Sequence, residues 1–335
     1  MRIVLDAMGS DNRPIPDLDG AVLASQDFPE DTIVLTGDEA VLHRELANRH
    51  PKFKHMEIVH ASETISMSDK PGTVIKERPD SSIHVGLELV KAGKADAFVT
   101  AGNTGATLAI ATLASLGRIT GIKRPALGSI LKVPNTDNRR IILLDIGATV
   151  DAKPEWMVQF AMMGAIYARQ VLKLDNPRIG LLSNGEEDSK GNQAILDTHA
   201  LLRALPGLNF AGNVEPGDAL KGEVDVVVSD GFIGNIAIKS LEAMGSTIGR
   251  LIRSEAKKDP ISMIGGLLMR SAFKRVYKQI DPTEIGGAPL LGVKGVVIIG
   301  HGRSNALAIR NAIAQARLAV ESNIVQAIQS ETSRL

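Results

Sequence analysis

Among the 335 residues there is no cysteine. That absence removes disulfides, thiolate metal sites and a cysteine nucleophile together. Aromatic residues make up only 3% of the chain, so there is little stacking surface for bases. Neither sign of charge is in excess, with 38 Lys and Arg against 38 Asp and Glu, and no global field recruits nucleic acid. No apolar run approaches the roughly 18 to 20 residues of a membrane-spanning helix. The strand pattern at 2–5 begins too early for a signal peptide, so the expectation is a cytoplasmic protein. Low-complexity tracts are also missing, and a chain of this length can bury about three quarters of its unfolded surface.

What is present is a regular alternation. Apolar, β-branched runs at 2–5, 32–35, 56–60, 96–100, 141–144, 178–182, 224–228 and 295–299 read as strands, and helical spacing at 17–26, 39–48, 82–92, 155–172 and 194–204 separates them. This grammar predicts an α/β protein with a doubly wound sheet. Polar loops fall at 62–80 and 184–192, and a loop as long as the first is often functional.

The stretch Asp225-Val-Val-Val-Ser-Asp230-Gly231-Phe-Ile-Gly234-Asn235 reads as a buried strand entering a glycine turn and then a helix. At the carboxyl end of such a strand, backbone N–H groups and a helix N-terminus can approach an anion. Asp96-Ala-Phe-Val-Thr100-Ala-Gly102-Asn103-Thr104-Gly105 lies on the same stretch without gaps. A fainter echo pairs 2–9 with 178–185. Either the chain is a duplication whose halves offer one glycine turn each across a cleft, or two α/β units share a common grammar. A duplication requires both turns on one face of the sheet.

Neither turn has the Gly-x-Gly-x-x-Gly spacing of a dinucleotide site, and Gly185-Glu-Glu-Asp-Ser-Lys190 lacks the glycine a P-loop needs before its lysine. A single phosphate asks for less: a few N–H groups and one lysine. Lys190 is the candidate cation, or else a solvated lysine in a charged loop. Asp6 and Asp145, each at a strand end before a glycine, can orient a lysine or cap a helix. His301, between Gly300 and Gly302, is the histidine placed to meet a ligand. The others (His43, His50, His55, His60, His84 and His199) show no partner acid four residues away on a plausible helix, so no metal is expected.

The segment 250–280 departs from the neutral chain: between Arg250 and Lys278 stand eight basic and two acidic residues, with Leu267, Leu268 and other apolar residues interleaved and Gly265-Gly266 as an interruption. Such a segment suits an anionic lipid surface, an acidic partner protein, or a dimer interface with a basic rim.

Eight ordered motifs carry a resemblance over nearly the whole chain. They are Asp6-Ala-Met-Gly9-Ser-Asp11; Ala101-Gly-Asn-Thr-Gly-Ala106; Asp145-Ile-Gly-Ala148 with Lys153-Pro-Glu155; and Asn184-Gly-Glu-Glu187 with Lys190-Gly-Asn192. Gly212-Asn-Val-Glu215, Ser229-Asp-Gly-Phe-Ile-Gly-Asn235, Gly286-Gly-Ala with Leu290-Leu-Gly292, and Gly300-His-Gly302 with Ser304 complete the set. In this order they resemble the bacterial acyl-acyl carrier protein:phosphate acyltransferases. Ser10 stands where that family usually has glycine, and Thr149 where it has asparagine.

The resemblance implies transfer of a fatty acyl group from acyl carrier protein to inorganic phosphate. The acyl phosphate would serve a downstream glycerol-3-phosphate acyltransferase in phospholipid synthesis. It further implies a three-layer α/β/α sandwich like isopropylmalate dehydrogenases and phosphotransacetylases, with two intertwined subdomains, here 1–126 plus 286–335 and 127–285. A homodimer on the inner face of the cell membrane is implied as well, and no cofactor.

A thioester is an activated donor and phosphate is largely dianionic near neutral pH, so positioning and oxyanion stabilisation suffice. The expected catalytic residues are Lys190, Asn235 and Asp230. Gly102, Asn103, Thr104, Gly105, Gly231, Gly234, Asp6, Asp145, Asn184 and His301 are expected to line the substrates. Arg270, Lys274, Arg275, Leu267 and Leu268 are expected to meet membrane or partner. The alternatives are a phosphotransacetylase-like enzyme using acyl-coenzyme A, and a non-enzymatic ligand-binding or membrane-scaffold protein.

Overall fold

The computed structural model describes residues 1–49, 56–280 and 282–332. Eleven strands are present among them: β1 Arg2–Asp6, β2 Thr32–Gly37, β3 Met56–His60, β4 Ala97–Thr100, β5 Ala126–Lys132, β6 Arg140–Leu144, β7 Ile179–Leu182, β8 Phe210–Val214, β9 Val226–Val228, β10 Ala288–Leu291 and β11 Val296–Ile299. They form one sheet in the order β3-β2-β1-β4-β11-β10-β5-β6-β9-β7-β8. The first five are mutually parallel, as are the last four, and β10 and β5 join the two blocks through antiparallel pairings.

Alternating side chains send the strands' apolar groups to both faces. On one face Ile3, Leu5, Val99, Ile298, Ile142, Leu144, Val226 and Val228 share a core that spans the sheet. Helices Ile15–Asp27, Pro154–Gln170, Gln193–Ala204, Ala306–Glu321 and Ile324–Thr332 cover it. The close approach is visible at Gly164, where a Cβ would stand 2.5 Å from Val226 Cγ1. The other face divides into two clusters. Helices Pro71–Glu77 and Ser82–Lys91, with Thr104–Ala109 and the π turn Ile110–Ala114 after it, cover the first block. Ile233, Ala237 and Ile238 of helix Gly231–Glu255 pack on the second. This is the three-layer α/β/α sandwich expected.

Both glycine turns lead into helices on that divided face, so the duplication survives its requirement. The echoed strands also occupy matching places. Counting outward from the central β10/β5 pair gives β11, β4, β1, β2 on one side and β6, β9, β7, β8 on the other. The echoes pair β4 with β9 and β1 with β7.

Register decides where the loops go. Leu5, Val99, Ile298 and Pro289 lie on one line across the sheet. Leu290 pairs with Leu127, which sets Pro289 level with Gly128, and the line continues through Leu144, Val228 and Leu181. The parallel blocks therefore end on a single line from opposite directions. The next residues are Asp6, Thr100 and Ile299 in one block and Asp145, Ser229 and Leu182 in the other.

Candidate active site

In the second block three neighbouring strands, β6, β9 and β7, deliver the Asp145 loop, the Asp230 turn and the Lys190 loop to one edge. Asp145 is fully buried and organises that edge. Its Oδ1 accepts N–H groups from Leu127 (2.9 Å), Gly147 (3.1 Å) and Ala148 (3.0 Å), and its Oδ2 accepts the Thr149 N–H at 2.6 Å. Burial pushes the carboxyl up to about 6, against the pull of these four donors. The aspartate neither orients a lysine nor caps a helix, because it shapes residues 145–149 into a tight loop.

That loop dictates the glycines of the opposite turn. A Cβ on Gly234 would collide with the Asp145 carbonyl oxygen, and one on Gly231 would stand 2.7 Å from the Thr149 carbonyl oxygen. The N–H of Gly231 donates to Thr149 O at 2.8 Å, and Gly234 N–H donates to Asp230 O at 3.0 Å. Asp230 is the N-cap of helix Gly231–Glu255, its Oδ1 accepting from Phe232 N–H (2.9 Å) and Ile233 N–H (2.8 Å). The expectation that Gly231 and Gly234 present N–H groups to an anion is corrected here: those donors are taken, and the glycines serve close backbone approach. No ion pair joins Asp230 to Lys190 among the described residues.

Asn235, Lys190 and Asn184 are polar side chains on this edge. The Asn235 amide faces Gly147, where a Cβ would come within 2.9 Å of Nδ2. Lys190 is exposed, with its aliphatic stem lying over Gly185. No carboxylate pairs with its ammonium among the described residues. Asn184, beside it, is exposed.

In the first block Asp6 is the matching buried carboxylate. It accepts Thr100 Oγ1 at 2.7 Å and Met8 N–H at 3.0 Å, and burial raises its pKa. Thr100 Oγ1 in turn accepts Gly102 N–H at 2.8 Å. Asn103 caps the next helix through Ala106 N–H (3.0 Å), while its Nδ2 donates to the carbonyls of Ser66 (3.0 Å), Met67 (3.3 Å) and Asp69 (3.0 Å). Asn103 is thereby a clamp on the 62–80 loop. Gly105 lies against Pro71, and Thr104 is exposed. His301 is exposed, with Nδ1 accepting Arg303 N–H at 3.1 Å. Ser10, at the departure from the family pattern, donates to buried Asp17 at 2.5 Å. Burial pushes the Asp17 carboxyl well above its usual range, and the nearby Asp6 charge adds to the shift.

The loop 145–149 also bridges the two blocks: Ile146 packs against the clusters of both, and Ala148 against that of the first. Sequence reading missed this bridge, and with it Thr149, Gly147 and the role of Thr100. The only signal was Asp-x-Gly after a strand, which reads as an ordinary turn. It also passed over the pair of Glu39 and His43, four residues apart on helix Glu39–Arg49, an exposed contact of 3.5 Å. His50 and His55 lie outside the described residues. Among the described residues no group of three His, Asp or Glu is placed to hold a metal ion.

This fold is shared with solved phosphotransacetylases. The Streptococcus pyogenes phosphotransacetylase superposes with a TM-score of 0.60 at 18% identity, over 98% of this chain and 94% of that one. A branched-chain phosphotransacylase from Enterococcus faecalis gives 0.56 at 15% identity over 96% and 100%. At those identities the likeness is one of fold. Sequence carries it further: the family described as "Fatty acid synthesis protein" matches residues 1–327. The phosphate acyltransferase of Dictyoglomus turgidum is 45% identical over 100% of this chain and 99% of its own. That of Aliarcobacter butzleri is 46% identical over 98% and 96%. The chain belongs to this family of phosphate acyltransferases and is an acyltransferase.

Proposed function

We propose that the protein transfers a fatty acyl group from acyl-acyl carrier protein to inorganic phosphate, releasing acyl phosphate for phospholipid synthesis. The observation that carries this reading is a site edge with the Asn235 amide and a lysine, Lys190, that no carboxylate pairs among the described residues, in a chain without cysteine. The chain has no cysteine, Asp145 is bound by four N–H groups, and the Oδ1 of Asp230 is held by its cap. Phosphate then attacks the thioester carbonyl directly: the new bond is O–C, the C–S bond breaks, and the carrier thiolate leaves.

Lys190 supplies the charge that holds phosphate, a role shifted toward this side chain because the N–H groups of Gly231, Gly234 and Gly102 are engaged. Asn235 Nδ2 donates to the carbonyl oxygen as it becomes an oxyanion. Asp6 and Asp145 shape the two edges. This two-sided arrangement accords with subdomains at 1–126 plus 286–335 and 127–285. The basic segment 250–280, where helix Gly231–Glu255 is followed by helix Pro260–Ile280, is the surface for the inner membrane face, with acyl carrier protein or a second copy of the chain as the alternative occupants.

The test supplies phosphate with fatty acyl thioesters of either carrier protein or coenzyme A and traps acyl phosphate with hydroxylamine. Product from the carrier-protein thioester is expected. Product from the coenzyme A thioester alone would transfer the reading to a phosphotransacetylase-like donor. Lys190→Ala is expected to raise KM for phosphate, and Asn235→Ala to lower kcat roughly 100-fold or more, as for loss of an oxyanion donor. A stable acylated protein during turnover would rule out direct attack.

A further inference from the structure

The loop that carries Lys190 is held by side chains from β8 and from helix Gln193–Ala204, outside the three strands β6, β9 and β7. Asn213, on β8 at the margin of the sheet, is buried, and its Nδ2 donates to the carbonyls of Glu187 (2.9 Å) and Lys190 (3.4 Å). Its Oδ1 is buried with no donor in reach among the described residues. Such an amide is a costly thing to bury for stability alone. A second tether starts from helix Gln193–Ala204. Buried His199 places Nε2 3.1 Å from Asp188 Oδ1, and Arg203 adds a contact of 3.4 Å to the same oxygen. The imidazole is set by an edge contact with Phe210 of β8, ring centres 5.1 Å apart. The first tether is thus rooted in β8, and the second packs against it. Between their attachment points at Glu187, Asp188 and Lys190, the loop folds back through Lys190 N–H to Glu187 O at 2.9 Å, and the lysine stem is laid over Gly185.

We infer that Asn213 and the His199–Asp188 pair are positioning residues for phosphate capture, holding the 184–192 loop in the one shape that presents the Lys190 ammonium to the site. The inference rests on the reading of Lys190 as the phosphate cation. It assigns no contact with substrate to either residue. A lysine on an untethered loop keeps its charge but loses its place, and misplacement of a binding group by about 1 Å can cost up to about 100-fold.

The experiment measures KM for inorganic phosphate and KM for the acyl thioester separately in the full-length protein, with thermal unfolding alongside. Asn213→Leu keeps the side chain's size and removes a buried unsatisfied oxygen, while the Glu187 carbonyl keeps its bond from the Lys190 N–H. It is expected to leave the unfolding midpoint and the thioester KM near wild type and to raise phosphate KM roughly tenfold. His199→Ala is expected to raise phosphate KM too, and His199→Gln, whose amide can still donate to Asp188, to restore much of it. If Lys190→Ala raises phosphate KM while Asn213→Leu and His199→Ala leave it unchanged, the positioning role is overturned and the Lys190 reading stands. If Lys190→Ala itself leaves phosphate KM unchanged, both fall.

Discussion

Asp145 concentrates the physics of the site in one carboxyl group. Its unfolded value is near 3.8 and its folded value about 6, raised chiefly by burial. Between those two values the folded chain holds a proton that the unfolded chain has released, so unfolding stability falls as pH rises through this window. The group is protonated in both states below it and ionised in both above it. Full passage amounts to about 3 kcal/mol at about 1.4 kcal/mol per unit. Activity should move the other way. Only the carboxylate can accept all four loop N–H groups; a protonated carboxyl turns one oxygen into a donor facing donors. Acid therefore stabilises the fold through Asp145 while loosening the loop on which Gly231 and Gly234 rest. Asp145→Asn cannot ionise and places an amide N–H against a backbone N–H. It is expected to flatten the stability profile between about pH 4 and pH 6 and to reduce activity at neutral pH. Urea unfolding across that window, run on both proteins, checks it, and parallel profiles would refute the assignment. None of this could be read from Asp-x-Gly in the sequence, where a glycine needed for close approach looks the same as one that frees an N–H for a ligand.

At the scale of elements, the cap at Asp230 separates two readings of one residue. The structure commits Oδ1 to the N–H groups of Phe232 and Ile233. Asp230→Ala should cost about 1 kcal/mol, and Asp230→Asn, a cap of similar strength, little. If Asp230→Asn instead abolished turnover with its stability intact, the charge and not the cap would be the essential property. The strand–helix alternation and the buried Val226–Val228 strand were legible because their patterns are local. Three strands were not. β5 carries Gly128 and Ser129 within its apolar run, β8 carries Gly212 and Asn213, and β10 is only four residues long between the glycines of the motif 286–292. These strands lie at the block junction and the sheet margin, where partners distant in sequence supply the pairing that local pattern does not. Conversely, Gly265 and Gly266 read as an interruption, yet helix Pro260–Ile280 runs through them. The break falls at 256–259, ahead of Pro260, a residue suited to the first helical turn.

The whole molecule has one part that its own core does not explain. Helix Gly231–Glu255 is anchored by buried Gly231 and Gly234 and by the partly buried Ile233, Ala237 and Ile238, then continues with exposed apolar residues into Pro260–Ile280. No helix among the described residues is long and apolar enough to cross a membrane. Even so, Ile261, Leu267 and Leu268 are 83%, 68% and 77% exposed, and Arg270, Lys274 and Arg275 are exposed beside them. Apolar groups displayed at this density call for a cover, and interleaved cations favour one that is anionic. This segment is continuous with the helix that bears Asn235, so whatever it docks on is held one helix away from the proposed thioester carbonyl. Each cation near an anionic surface contributes about 1 kcal/mol, so joint reversal of Arg270, Lys274 and Arg275 to Glu should lower binding to phosphatidylglycerol vesicles by at least about 100-fold. That loss should shrink as salt rises, because the charges are exposed. Leu267→Ser with Leu268→Ser should weaken vesicle binding at every salt concentration. If charge reversal leaves vesicle binding intact but raises KM for acyl carrier protein, the cations serve the carrier. If both variants bind vesicles as wild type does, and the serine variant instead dissociates a dimer in sedimentation, the apolar face belongs to a second copy of the chain.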